Sequence, residues 1–331
     1  FWRTGNVKNG KFPDSSFGES EKQDFFNVGL KGGATYKIDG RNYVYASGEY
    51  LTRAPFFRNS FVSPRTRNQV VPGLTDEKIS SVEGGYLMRS PVLKARATAY
   101  YTTFKDQTQT RGFFHDDLES FVNYSMTGID KEHKGIELAM EGKVNSALTL
   151  IGVASLGEYI YTSRPTAITT QDNNAEILDE DVVYAKNFYV PGTPQKALTG
   201  AINYRGKEYW FANVNFNYFD DIWIDFNPVR RTQSAVEGTV LGSENYNEIV
   251  NQENAGSAFT IDFFGGKSFK INNNFIYLNI GVSNILNNET FKTGGYEQLR
   301  YDFEDKDPNS FAPKYFYSFG TNYFINLSFR H

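Results

Sequence analysis

Apolar and polar residues alternate along most of the chain. In residues 208–224, EYWFANVNFNYFDDIWI, the even positions Trp210, Ala212, Val214, Phe216 and Tyr218 are apolar, while odd positions carry Asn213, Asn215, Asn217 and Asp221. A period of two puts each set on its own face of a β-strand. In 274–286, Ile276, Leu278, Ile280 and Val282 oppose Tyr277, Asn279, Gly281 and Ser283. In 92–110, Leu93, Ala95, Ala97 and Ala99 oppose Lys94, Arg96 and Thr98, and in 41–53, Val44, Ala46 and Tyr50 oppose Ser47, Glu49 and Arg53. The pattern predicts eleven strands, near 24–38, 41–53, 76–90, 92–110, 129–143, 146–162, 195–206, 208–224, 256–271, 274–286 and 313–330, with almost no helical periodicity. The last, KYFYSFGTNYFINLSFRH, sets Tyr315, Tyr317, Phe319, Tyr323, Ile325, Leu327 and Phe329 on one face. At the edge of a soluble sheet so long and aromatic a strand would promote aggregation.

The connections alternate too. Tight ones fall at Asp39-Gly40, Ser90-Pro91, Asn145, Gly206-Lys207 and Asn272-Asn273, and long ones at 54–75, 111–128, 163–194, 225–255 and 287–312. Asp-Gly predicts a type I′ hairpin turn. In a meander, strict short–long alternation sends every long connection to the same end. Many strands exceed the usual length of about five or six residues and suit tilted membrane spans of roughly 9–11 residues with extensions. A soluble sandwich would also alternate, but strand length, loop alternation and aromatics near strand ends favour a transmembrane antiparallel barrel with short turns on one side and long loops on the other.

Composition restricts the rest. A mean hydropathy of −0.50 suggests a soluble protein, but an alternating barrel escapes such averages. No run of eighteen apolar residues exists, which excludes a transmembrane helix. With no cysteine, disulfides and thiolate chemistry are excluded. The net charge of −4 comes without a basic block, so nucleic acid is not an expected partner. His115, His133 and His331 are scattered, and neither H-E-x-x-H nor G-x-S-x-G occurs, so no enzyme activity, catalytic residue, metal or cofactor is expected. His133 reads as solvated at a strand start, and the acidic run ILDEDVV (177–183), with Asp172 upstream, as a solvated loop without the spacing of an EF-hand. The opening FWRTG reads as the tail of a preceding strand.

Several segments resemble one family in order along the chain. YLTRAPFF (50–57), LTDEKISSVEGGYLMRS (74–90), AYYTTFKDQ (99–107), HKGIELAMEG (133–142), VPGTPQKALTGAINY (190–204) and GVSNILNNETF (281–291), followed by the aromatic last strand, are similar to motifs of TonB-dependent outer-membrane transporters. The chain departs from the pattern where Arg330 and His331 follow Phe329, and where Met140 follows Ala139. The resemblance implies an all-β fold in the outer membrane of a Gram-negative bacterium. Residues 1–331 would form the C-terminal part, about 11–12 strands, of a barrel of about 22 strands. An N-terminal plug and the first strands would lie outside this chain, and the last strand would pair with the barrel's first. The implied function is active import of a scarce nutrient: siderophore, cobalamin, oligosaccharide or peptide. The implied partners are the plug and remaining strands, the TonB complex through the N-terminal part, and lipid and lipopolysaccharide; a surface lipoprotein is admitted. A passive pore or structural barrel without a plug is the alternative.

Candidate site residues follow from this frame. FDDIWIDFNPVRR (219–231) brings Trp223, Asp225, Phe226, Arg230 and Arg231 to one strand–loop junction. Aromatic faces stack on sugars or catecholates, and arginine clamps carboxylates in bidentate fashion. Trp223 equally suits an interfacial aromatic girdle. Arg65 and Arg67 suit lipopolysaccharide phosphate. Glu49, Glu83, Lys94, Arg96, Glu137, Asn213, Asn215, Asn217, Asp262, Asn279 and Ser283 are expected to face the lumen and plug, and Trp210, Val214, Phe216, Leu278 and Ile280 to face lipid.

Overall fold

The computed structural model describes residues 4–6, 17–64, 67–172, 176–272 and 274–330. Eleven strands form one antiparallel meander: β1 (Gly29–Lys37), β2 (Asn42–Arg53), β3 (Glu77–Arg89), β4 (Leu93–His115), β5 (Ser120–Lys143), β6 (Leu148–Tyr161), β7 (Lys196–Arg205), β8 (Trp210–Asp220), β9 (Ala258–Ile271), β10 (Asn274–Ser283) and β11 (Asn322–Arg330). Each pairs with its sequence neighbours, and β1 and β11 form the two edges. A short hairpin, Thr166–Gln171 with Ile177–Val182, attaches to the upper part of β5.

Register carries the alternation across the whole sheet. One row runs Tyr36, Val44, Tyr86, Ala97, Leu138, Ala154, Leu198, Tyr218 and Phe259. Another runs Val214, Phe263, Val282 and Tyr323 on the same face. The opposite face carries the row Lys94, Glu141, Ile151, Ala201, Asn215 and Asp262. Val82, Ile136 and Ile202 on the apolar face are 58%, 51% and 51% exposed. A continuous apolar surface of this extent marks an interaction with membrane or partner. Charges return to this face at Lys196 and Asp220, one end of the band, and at Lys267, the other. Between them β8 runs nine residues from Trp210 to Tyr218, a length suited to a tilted span of about 9–11 residues.

Several expectations are corrected. Neither Asp39 nor Gly40 has positive φ, so the turn is not type I′. The Asp39 carboxylate closes it instead, accepting from the backbone N–H groups of Arg41 (2.7 Å) and Asn42 (2.9 Å). The loop expected at 111–128 is mostly strand: β4 and β5 pair out to His115 and Ser120. The last strand is broken. Lys314–Tyr317 leaves the wall to pair with Lys292–Tyr296, and β11 begins only at Asn322. The first expected strand starts five residues late, at Gly29, and Thr4–Asn6 pairs with Phe17–Glu19 apart from the wall.

Candidate ligand-facing loop cluster

The long connections fold over the polar face of the wall at one end. Past β8 the chain alternates once more: Ile222, Ile224 and Phe226 are buried, and Trp223 and Asp225 between them are half-buried. Phe226 packs edge-on against Tyr161 (5.4 Å between ring centroids) and Phe188 (5.0 Å). Met126, Val229, Ala235, Ile249 and Tyr301 join this buried cluster, as do Tyr124, Ile129, Ala167, Val183 and Ala185. The Asn227 side chain accepts from the Val229 N–H (3.0 Å) and, with Pro228 in the first turn, starts the short helix Pro228–Arg231.

That helix delivers two arginines inward. Arg231 is 1% exposed and forms a bidentate pair with buried Glu297, one bond measuring 2.8 Å and the other running from Nη1 to Oε2. It also donates to the carbonyls of Asn227 (3.1 Å), Val250 (3.2 Å) and Asn251 (2.6 Å). Arg230 donates to the carbonyls of Ile249 (3.1 Å) and Glu248 (2.5 Å). Burial, reinforced by the neighbouring Arg231 charge, brings the Arg230 guanidinium down to about 10. The hydrogen-bonding capacity of these arginines is thus directed into the loop itself. The ladder extends further: Asp225 N–H donates to the Gly295 carbonyl (2.9 Å), and Glu297 N–H to the Asp225 carbonyl (2.8 Å).

Of the five junction residues, Trp223 and Asp225 stay near the surface. Trp223 stacks on Tyr189 with centroids 4.4 Å apart and planes 8° from parallel, and its indole N–H has no partner. Asp225 accepts from Arg111 Nη2 through both oxygens, at 2.8 and 3.1 Å. Burial raises its carboxyl above the usual range, opposed by the Arg111 charge. Phe226, Arg230 and Arg231 lie inside the cluster.

The remaining candidates separate clearly. Arg67 is wholly buried and donates to the Asp172 carbonyl, so it is not presented to phosphate as expected; Arg65 lies outside the described residues. His133 is half-buried rather than simply solvated, its ring lying 5.0 Å from that of Phe104 and 4.7 Å from that of Tyr159. The acidic run is a strand rather than an open loop, with Asp181 accepting from Ser234 Oγ (3.1 Å). Glu49, Glu83, Lys94, Arg96, Glu137, Asn213, Asn215, Asn217, Asp262, Asn279 and Ser283 share the polar face by register. Asn217 ties part of it together, accepting from Thr199 (3.0 Å) and donating to Asp262 (2.8 Å). Trp210, Val214, Phe216, Leu278 and Ile280 share the apolar face. Sequence reasoning missed Arg111, Tyr161, Phe188 and Glu297, whose partners stand more than sixty residues away for the two charged groups.

Among curated proteins no sequence matches this chain. Solved structures match its fold. The ferric-catecholate import receptor Fiu from K12 E. coli superposes with a TM-score of 0.55 at 13% identity, covering 99% of this chain and 39% of that one. The siderophore receptor PiuA from Acinetobacter baumannii gives 0.56 at 12%, covering 90% and 35%. The ferric yersiniabactin uptake receptor FyuA from Yersinia pestis gives 0.56 at 13%, covering 90% and 36%. The chain therefore spans well under half the length of these receptors, and at such identities the likeness is one of fold. A family model, that of the TonB dependent receptor-like β-barrel, matches residues 3–285. With this match over most of its length, and a meander wall with long loops at one end to accompany it, the chain belongs to the β-barrel family of TonB-dependent receptors.

Proposed function

We propose that this chain supplies wall strands and outer loops to a TonB-dependent importer in the outer membrane of a Gram-negative bacterium. The supporting observation is the pairing of one continuous apolar face with a loop cluster folded over the opposite, polar face. The apolar face meets lipid, the polar face lines the lumen and receives the plug, and the loops gather the nutrient. The protein performs no chemistry on its cargo. Metal chelates of the kinds named for the structural neighbours, ferric catecholates and other siderophores, join cobalamin, oligosaccharide and peptide as candidate cargo. Trp223 and Asp225 are assigned to ligand contact at the loop rim, whereas Phe226, Arg230 and Arg231 act by holding that rim in shape. The plug, the remaining strands, the TonB complex, lipid and lipopolysaccharide are the partners of this reading, and a surface lipoprotein remains compatible with it.

The test is energised uptake by whole cells expressing the intact receptor, with candidate nutrients supplied one at a time. Import should stop when the proton gradient is dissipated or TonB is removed. Uptake that survives both treatments would identify a passive pore. Sidedness is read separately with an impermeant thiol reagent, because the chain has no cysteine of its own. A cysteine at Leu241, 80% exposed in the loop after β8, should label on intact cells, and one at Gly40 should not.

A further inference from the structure

The cargo-gathering reading leaves unexplained a cleft of about 250 Å³ between the β4–β5 tip, the Thr166–Val182 hairpin and the loops after β8 and β10. Its chemistry is one-sided. Asp117, Asp179 and Asp181 line it, and no ion pair of the described residues involves any of the three. The neighbouring Asp116 is paired with Arg300, so the local cation is already engaged. Lys306 Nζ donates to the Ser234 carbonyl at 3.3 Å, and Lys306 does not line the cleft.

A second observation points the same way. Tyr124, on the cleft wall, is 3% exposed, and its hydroxyl has no hydrogen-bond partner. A buried hydroxyl left without a partner is costly, a cost that an arriving hydrogen-bonding group relieves. Register explains its position: Tyr124, Thr169 and Asp179 stand side by side on three adjacent strands, with Asp181 two residues along on the same face. Opposite them the Phe303 ring lies flat on His115, 5.3 Å between centroids and 12° from parallel, and His115 Nδ1 is also unpartnered. Thus carboxylates guard the entrance, an unpaired phenol waits inside and an aromatic plate forms one wall.

We propose that this cleft binds a primary ammonium group carried on a short apolar stem, either a small amine or the amine-bearing arm of a larger cargo. The carboxylates take the N–H donors, Tyr124 Oη accepts one more, and the Phe303 face offers a cation–π contact along the stem. A bare metal ion fits less well: among the described residues no three carboxylate or imidazole groups converge at ligating distance. Burial and the adjacent Asp179 raise the Asp181 carboxyl above its usual range, a cost that a bound cation relieves. The volume is below the roughly 300–1,000 Å³ of drug-sized sites, which suits one arm of a ligand better than a whole chelate.

The proposal rests on the loops being the receptor's gathering surface, but its test does not require transport. The detergent-solubilised intact receptor is titrated with 4-fluorophenethylamine, with 4-fluorophenethyl alcohol as the neutral control, followed by fluorine NMR. The amine should bind and the alcohol should not. D179N/D181N should weaken the amine by about tenfold or more, and Tyr124→Phe by about fivefold. Heat-modifiable gel mobility checks that each variant is folded. Equal binding of amine and alcohol, or an amine affinity unchanged in folded D179N/D181N, would overturn the proposal. Displacement of the amine by calcium at stoichiometric levels would reassign the cleft to a metal. Gradient-independent uptake alongside intact amine binding would sink the importer reading and leave the cleft standing.

Discussion

The wall and the loop cluster are built on opposite terms. In the wall, apolar side chains such as Val214, Phe216 and Leu327 stand 40%, 43% and 71% exposed, and cohesion comes from backbone ladders between neighbouring strands. In the loops, the side chains are closed off: the largest fully buried ones include Arg67, Arg231, Phe61, Ile224 and Ile249, all from connections. The wall's hydrophobic surface is complementary to something outside the chain, whereas the loops supply their own core. Exposed apolar side chains in strands invert the usual soluble arrangement, whereas buried Arg231 keeps to its rule that a charged group is almost never fully buried unless paired.

Glu297→Ala tests the independence of the two regions most severely. It strands the Arg231 guanidinium in the cluster, a change that costs about 3–5 kcal/mol for a buried pair. Residues 225–255 should become protease-sensitive while heat-modifiable mobility of the wall is kept; loss of both together would show one cooperative unit. Val214→Arg tests the wall. Near the middle of the band it should cost about 2–4 kcal/mol in refolding from vesicles, with Asn215→Arg far cheaper. Equal costs would refute the assignment of faces. Trp223→Ala removes the stack on Tyr189, a loss of about 0.5–1.5 kcal/mol beyond burial. Faster hydrogen exchange confined to 189–225, with weaker cargo binding at matched surface expression, is expected; exchange alone would make Trp223 a packing residue.

The smallest effect concerns pH. Burial holds the His115 imidazole below its ordinary value of 6.5. The unfolded loop therefore binds the proton more readily than the folded one. Stability present above 6.5 is lost as pH falls from there through the lower folded value. Asp225 and Asp181 are shifted upward by burial, so in the acidic range they work in the opposite sense. Loop exchange rates measured across this range should show the loss as pH falls below 6.5 in the parent and not in His115→Phe.

The wall was legible because its chemistry is periodic. Val214 and Asn215 differ in kind because their faces meet different surroundings, and that difference recurs every second residue. Legibility fails where the period does. Two register shifts, between Phe104 and Gln107 and between Gln107 and Gln109, scramble the alternation of β4 and hide its continuation to His115. In the last strand Thr321 occupies an apolar position beside Gly320, a local signal for the break between Tyr317 and Asn322. In FDDIWIDFNPVRR the residue types were informative but their directions were not. Whether Arg231 points to cargo or to Glu297 depends on a carboxylate sixty-six residues further on. Glu77 shows the same limit, being almost wholly buried at the first position of β3 through Arg53 across the ladder.

The ties between the connections have a dynamic consequence. Arg111 links the β4–β5 hairpin to Asp225, Arg300 links the loop after β10 to Asp116, and the Asp225–Glu297 ladder joins that loop to the one after β8. Flaps anchored separately would open one at a time, each with its own small free energy. Cross-bracing of this kind favours opening as one cooperative unit over opening one flap at a time. The expected signature is one opening rate shared by residues far apart in the chain, so an amine bound at the hairpin tip should also slow hydrogen exchange at 292–303.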